Sequence, residues 1–151
     1  MAFEPDIIVT SPESSEIVLV VEARTFVRSL ADSERQLKKY MAAVGSPVGL
    51  LVTPERLRLY RDQYLPSSED SITTAAEFDV TKVLPFHPTG DRRVDALAFE
   101  RDVQSWLEGL STESSLRELP PELRRAVELY IVPAVSWGAV RSGHPRFEVS
   151  A

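Results

Sequence analysis

Five consecutive apolar residues, Ile17-Val18-Leu19-Val20-Val21, constrain this chain more than any other stretch. The run is β-branched at all but Leu19, too short for a helix, and closed by Glu16 and Glu22. Its side chains are apolar toward both faces, which is the pattern of a central strand in a sheet covered on both sides. Covering such a strand takes a sizeable core. The chain has 151 residues, 43% hydrophobic and 26% charged, which suits one soluble globular domain. A chain of this length buries roughly 70% of the surface that it exposes when unfolded. No apolar run approaches the roughly 20 residues that a bilayer-spanning helix needs. Residues 1–6 lack a basic region followed by an apolar stretch, so no signal peptide is expected. Cysteine is absent, which excludes disulfides, thiolate catalysis and cysteine-ligated zinc and suits a cytoplasmic location. With only His87 and His144, any metal would be held mainly by oxygen.

The elements follow from pattern. Ile7-Ile8-Val9 is a second apolar run, and the Ser-, Pro- and Glu-rich segment 10–16 between the two reads as a hairpin turn. A helix follows, with Asp32 or Ser33 as the expected cap. Leu37, Tyr40, Met41 and Val44 form its apolar face, and Gly45 with Pro47 ends it. Val48–Val52 is another buried strand. Residues 56–61 alternate strictly, with Leu57 and Leu59 on one face and arginines on a basic outer face. The order ββαββ defines a core over residues 1–65. Residues 66–91 read as a polar connector with room for a short helix over 71–78. Residues 92–135 form a helical extension packed on the core. Its first helix spans 92–110 with a stripe of Phe99, Val103, Trp106, Leu107 and Leu110. Its second starts at Pro120-Pro121, buries Leu123, Ala126, Val127, Tyr130 and Ile131, and is limited by Pro133. Residues 136–151 form a loose tail, anchored at most by Trp137. These elements make the fold class α/β, in one compact domain.

The net charge is −6, but it is unevenly spread. Residues 1–20 carry four acids and no base, residues 21–65 eight bases and five acids, and residues 66–151 nine bases and fourteen acids. The positive segment is the one that could steer a polyanion, although a solvated helix face gives the same count. If the first turn centres near Ser14, Ile8 faces Val20, Thr10 faces Val18, and Asp6 faces Glu22. Opposed side chains there have Cβ atoms about 4.5–5.5 Å apart. A slip of one residue would instead put the acids on opposite faces. In the first register a divalent cation would turn carboxylate repulsion into ligation. Arg24 projects from the same face as Glu22.

Pro5-Asp6 followed by Glu22-Ala23-Arg24 resembles the motif of the PD-(D/E)XK nuclease superfamily, with arginine where the family has lysine. Gln36-Leu37-Lys38-Lys39-Tyr40 on the next helix matches the QxxxY motif of several of its branches. Residues 5–61 are similar to the N-terminal nuclease domain of type I restriction motor subunits and to small stand-alone relatives. The resemblance implies a restriction-endonuclease-like fold, a mixed sheet with flanking helices, in which Asp6, Glu22 and the Ala23 carbonyl bind Mg²⁺ or Mn²⁺. It implies catalytic roles for Asp6, Glu22, Arg24, Gln36 and Tyr40, and a Mg²⁺-dependent endonuclease acting on DNA. A second copy or a restriction-system protein is the implied partner. Arg24 cannot serve as a general base, because a guanidinium stays protonated. The chain therefore has a rival reading as a non-catalytic nuclease-fold protein that binds nucleic acid or a partner. A third reading is an accessory subunit that needs another chain for activity. The family core also opens with a helix and a strand before the Asp strand, and here five residues precede Asp6. The helix at 92–110, that at 122–131, or a second copy is expected to cover the region so left. Away from this motif, Gln36 is by default solvated, Tyr40 core, Arg24 an ion-pair partner, and both histidines surface residues.

Overall fold

The structure, a computed structural model, describes residues 4–63 and 71–143. Six strands form one mixed sheet: β1 (Ile7–Thr10), β2 (Ile17–Ala23), β3 (Val48–Val52), β4 (Arg56–Asp62), β5 (Ile72–Asp79) and β6 (Ala139–Ser142). Their order across the sheet is β5-β4-β3-β2-β1-β6. Only β2 and β3 run parallel, since the helix α1 (Leu30–Val44) carries the chain from one to the other. The remaining neighbours are antiparallel.

The apolar runs sort onto two faces by the period of two. Ile7, Val9, Leu19, Val21, Leu50, Leu57 and Leu59 point to one face. There they meet Phe99, Val103 and Leu107 of α2 (Arg92–Gly109) and Leu123 and Ala126 of α4 (Pro121–Ala126). Val20, Leu51 and Tyr60 point to the other face, under Leu37 and Met41 of α1. The run Ile17–Val21 is thus covered on both sides, as its composition requires. The helices of residues 92–135 cover the sheet face opposite α1, the region expected to need cover.

Several expectations are corrected. The cap of α1 is Ser29, whose Oγ accepts from the Asp32 N–H at 3.3 Å, rather than Asp32 or Ser33. Asp32 sits inside the first turn, where a negative charge suits the helix dipole. Gly45 closes the helix in the left-handed region (φ 71°), and its N–H returns to the Met41 carbonyl. Residues 72–79 are not a helix but the edge strand β5, because Ile72, Ala76 and Phe78 alternate with exposed Thr73, Ala75 and Glu77 against β4. The 66–91 segment therefore contributes to the sheet. So does the tail, in which β6 pairs with β1 from Ile7↔Ser142 to Thr10↔Ala139. Trp137 anchors nothing, being 82% exposed. Pro133 does not end the second helix. A π-helical turn, Val127–Ile131, runs directly into α5 (Val132–Trp137), and the wider turn stands just before the ring, where the ladder of hydrogen bonds must change. A short helix, α3 (Glu113–Arg117), had no signal in the apolar pattern. No helix among the described residues is long and apolar enough to cross a membrane.

Candidate active site

The hairpin register places the motif residues. Ile7 pairs with Val21 and Ile8 with Val20, the register in which Asp6 comes next to Glu22. A bulge between Val9 and Thr10 then shifts Thr10 onto Ile17 instead of Val18. The bulge lies at the turn end of β1, so the opposite end keeps its alignment. Just before β1 the chain bends at Asp6, whose N–H donates to the Val21 carbonyl at 3.1 Å. Asp6 Oδ2 in turn accepts from the Ala23 N–H at 2.8 Å, the position where a longer β1 would have offered a backbone carbonyl. From the other side, Gly143 N–H donates to the Asp6 carbonyl at 2.9 Å. A side chain at position 143 would strike the Pro5 carbonyl, so only glycine allows this approach.

Both acids are buried, Asp6 at 3% and Glu22 at 2% exposure. Neither Glu22 oxygen has an aligned hydrogen-bond donor. Its compensation is the Arg24 guanidinium, whose Nε lies against Glu22 Oε1 and 4.0 Å from Asp6 Oδ2. Burial pushes the Glu22 carboxyl up to about 8, the neighbouring Asp6 adds to the rise, and Arg24 opposes it. The Asp6 and Glu22 carboxyls are also close enough to share a proton when one of them is neutral. Arg24 is half-exposed, and its backbone N–H is fixed to the Val52 carbonyl at 2.9 Å.

Two of the motif residues stand apart from this cluster. Gln36 is exposed on α1 and takes no part in the ion pairs around Glu22. Tyr40 is half-buried against the α1-side core, and its hydroxyl is held above its ordinary range by burial and by the Glu4 charge. Tyr40 thus lies near the chain that leads into Asp6.

The basic outer face expected of β4 is open at Arg56 and closed at Arg58. Arg58 is wedged beneath α1, with Nη2 3.2 Å from Glu34 Oε2 and Nη1 3.0 Å from Glu77 Oε2. The fully buried Tyr60 donates to Glu34 Oε2 at 2.5 Å and accepts from Arg58 Nε at 3.1 Å. Arg58, one of the eight bases of residues 21–65, is therefore neutralised within the fold. Glu22 pairs with Leu51 and Leu51 with Arg58, so this network lies two strands from the acid pair on the same sheet face. The signal for it was the alternation itself: with Leu57 and Leu59 turned inward on one side, Arg58 and Tyr60 must face the other.

A hard cation is the group that the motif implies. Two carboxylates, one with both oxygens lacking an aligned donor, fit its preference for anionic oxygen, and Mg²⁺ commonly takes only one or two carboxylates and keeps several waters. Among the described residues no cluster of three or more His, Cys, Asp or Glu side chains adds to them. His87 is exposed in its loop, and His144 lies outside the described residues. No family model, no curated protein and no solved structure matches the chain.

The raised Glu22 carboxyl predicts a pH dependence of stability without metal. The folded state holds a proton up to about 8 that an unfolded glutamate releases near 4.5. Stability therefore falls as pH rises through that window, and the loss is complete above the folded value. The opposing charges are Asp6, which steepens the fall, and Arg24, which softens it. Thermal melts in EDTA should drop by roughly 10 °C between pH 5 and pH 9 for a domain of this size. Glu22→Gln should flatten that slope, and an unchanged slope would mean that Glu22 is already ionised at pH 5.

Proposed function

We propose that the protein is a Mg²⁺-dependent endonuclease-like domain that hydrolyses DNA phosphodiester bonds, attenuated by Arg24 in place of the motif lysine. The observation that carries this reading is the buried Asp6–Glu22 pair at the mouth of a hairpin, with Arg24 in contact with Glu22. Burying two adjacent carboxylates is costly unless they are paired or bind a cation. A single half-exposed arginine leaves them one positive charge short, which the Glu22 proton supplies up to about pH 8 and a divalent cation would supply in its place. A bound Mg²⁺ would lower the pKa of a water and stabilise negative charge on the phosphate. Asp6, held by Ala23 N–H, and Glu22 would ligate it together with the Ala23 carbonyl. Arg24 would fix a phosphate oxygen as a charged fork of donors. Gln36 and Tyr40, one turn apart on α1, would meet the DNA backbone.

The arrangement of β6 also supports a restriction-endonuclease-like reading. The family core has a strand before the Asp strand. Here β6 lies antiparallel beside β1, although it comes from the other end of the described chain.

The test is nicking of supercoiled plasmid in Mg²⁺ or Mn²⁺. Activity that EDTA abolishes, and that falls by at least about 10²-fold in Asp6→Ala, is the expected result. EDTA-resistant nicking, or nicking retained in Asp6→Ala, would refute the assignment. The Arg24–Glu22 contact favours a second reading, a non-catalytic nuclease-fold protein that binds nucleic acid or a restriction-system partner. In that case Arg24 replaces the metal permanently, and neither metal nor mutation alters DNA.

A further inference from the structure

We infer that Arg24 is a displaceable counter-ion, holding the place of a divalent cation beside Glu22 and Asp6 and leaving it before such a cation binds. This rests on the proposed reading of the acid pair as a cation site. The asymmetry of burial is the first ground: the Arg24 side chain is 48% exposed, whereas those of Asp6 and Glu22 are 4% and 2% exposed. The guanidinium reaches in from solvent, and the acids cannot reach out. The second ground is how it is held. Glu22 has no aligned hydrogen-bond donor, so the contact with Arg24 is one of charge and not of matched geometry. Charge is what an incoming divalent ion replaces with surplus. The third ground is the backbone. Arg24 N–H is bonded to the Val52 carbonyl at 2.9 Å, which anchors the residue while its long side chain stays free to swing outward.

Displacement has a chemical consequence. A guanidinium released from Glu22 presents its donors at the rim of the site, where a phosphodiester oxygen would lie. Cation and phosphate binding then reinforce each other, since each favours the same swung-out arginine. Cation affinity in the absence of phosphate is held down by the competition.

The experiment is titration of the full chain with Mn²⁺ alone, with free Mn²⁺ followed by electron paramagnetic resonance. Arg24→Gln should bind Mn²⁺ about tenfold more tightly than the wild-type protein, because one competing positive charge is gone. The double variant Asp6→Ala/Arg24→Gln should lose the gain. Equal affinity in the wild-type protein and Arg24→Gln, with binding abolished by Asp6→Ala, overturns the counter-ion role while leaving the cation site standing. Absence of Mn²⁺ binding in every variant removes both. If Arg24→Gln does not fold without metal, Mn²⁺ should restore its circular dichroism, and failure to do so at millimolar concentration counts against the inference.

Discussion

Arg24→Lys is expected to raise Mg²⁺-dependent nicking of plasmid DNA by about 10²-fold or more, the lower end of what a positioned acid–base group contributes. The expectation rests on two cations of similar reach and different chemistry. A guanidinium is charged at any accessible pH and can orient a phosphate but cannot exchange a proton with water. An ammonium beside the same acids can orient a water and, when partly desolvated, take or give a proton. Everything else in the site stays: Ala23 N–H still holds Asp6, and the position of residue 24 is still fixed by Val52. Asp6→Ala in the Arg24→Lys background should cancel the gain, because one of the two carboxylates is gone. An inert Arg24→Lys that still binds Mn²⁺ would make the non-catalytic reading the better one.

Phe99→Ala is expected to lower the free energy of unfolding by about 3–5 kcal/mol, measured by denaturant titration. Phe99 is 1% exposed, and its ring stands edge-on to Phe86 with centroids 5.7 Å apart. It belongs to one continuous core with Ile7, Val9, Leu19 and Val21 from the hairpin. A loss of this size is a large fraction of the 5–15 kcal/mol by which domains of this kind are stable. The unfolding should stay a single transition, because α2 and the hairpin share that core. Two separate transitions would show that the helices after residue 91 fold apart from the sheet.

The sequence made the inner strands legible because their burial is extreme. Ile17–Val21 and Val48–Val52 have no polar side to mislead, and the pairing of Ile8 with Val20 followed from the length of the turn. The stripe of α2 was readable for the same reason. The edges were not. β5 carries Thr73, Thr74 and Ala75 in the open, so too little of it is apolar to distinguish strand from connector. β6 has only four residues between Gly138 and Gly143, and its identity lies in a partner more than a hundred positions away. The same holds within the candidate site. Spacing brought Asp6, Glu22 and Arg24 to one hairpin end. The bond from Ala23 N–H to Asp6, the depth of burial and the neutralisation of Arg58 by Glu34 and Glu77 depend on tertiary packing, which no local pattern encodes.

The pairing of β6 with β1 also sets the timing of assembly. Translation at roughly 5–20 residues per second delivers Gly143 well after Asp6 and Glu22, which lie more than a hundred positions before it. Until then β1 is an open edge, with unpaired backbone groups that could template pairing with another nascent chain. The acid pair would stay loosely set through that interval, because the Asp6 carbonyl lacks the Gly143 N–H that fastens it. Ribosome-bound chains halted before Ala139 would then carry both carboxylates without a finished site. The setting of Asp6 beside Glu22 is thereby tied to the completion of the sheet and not to the hairpin alone.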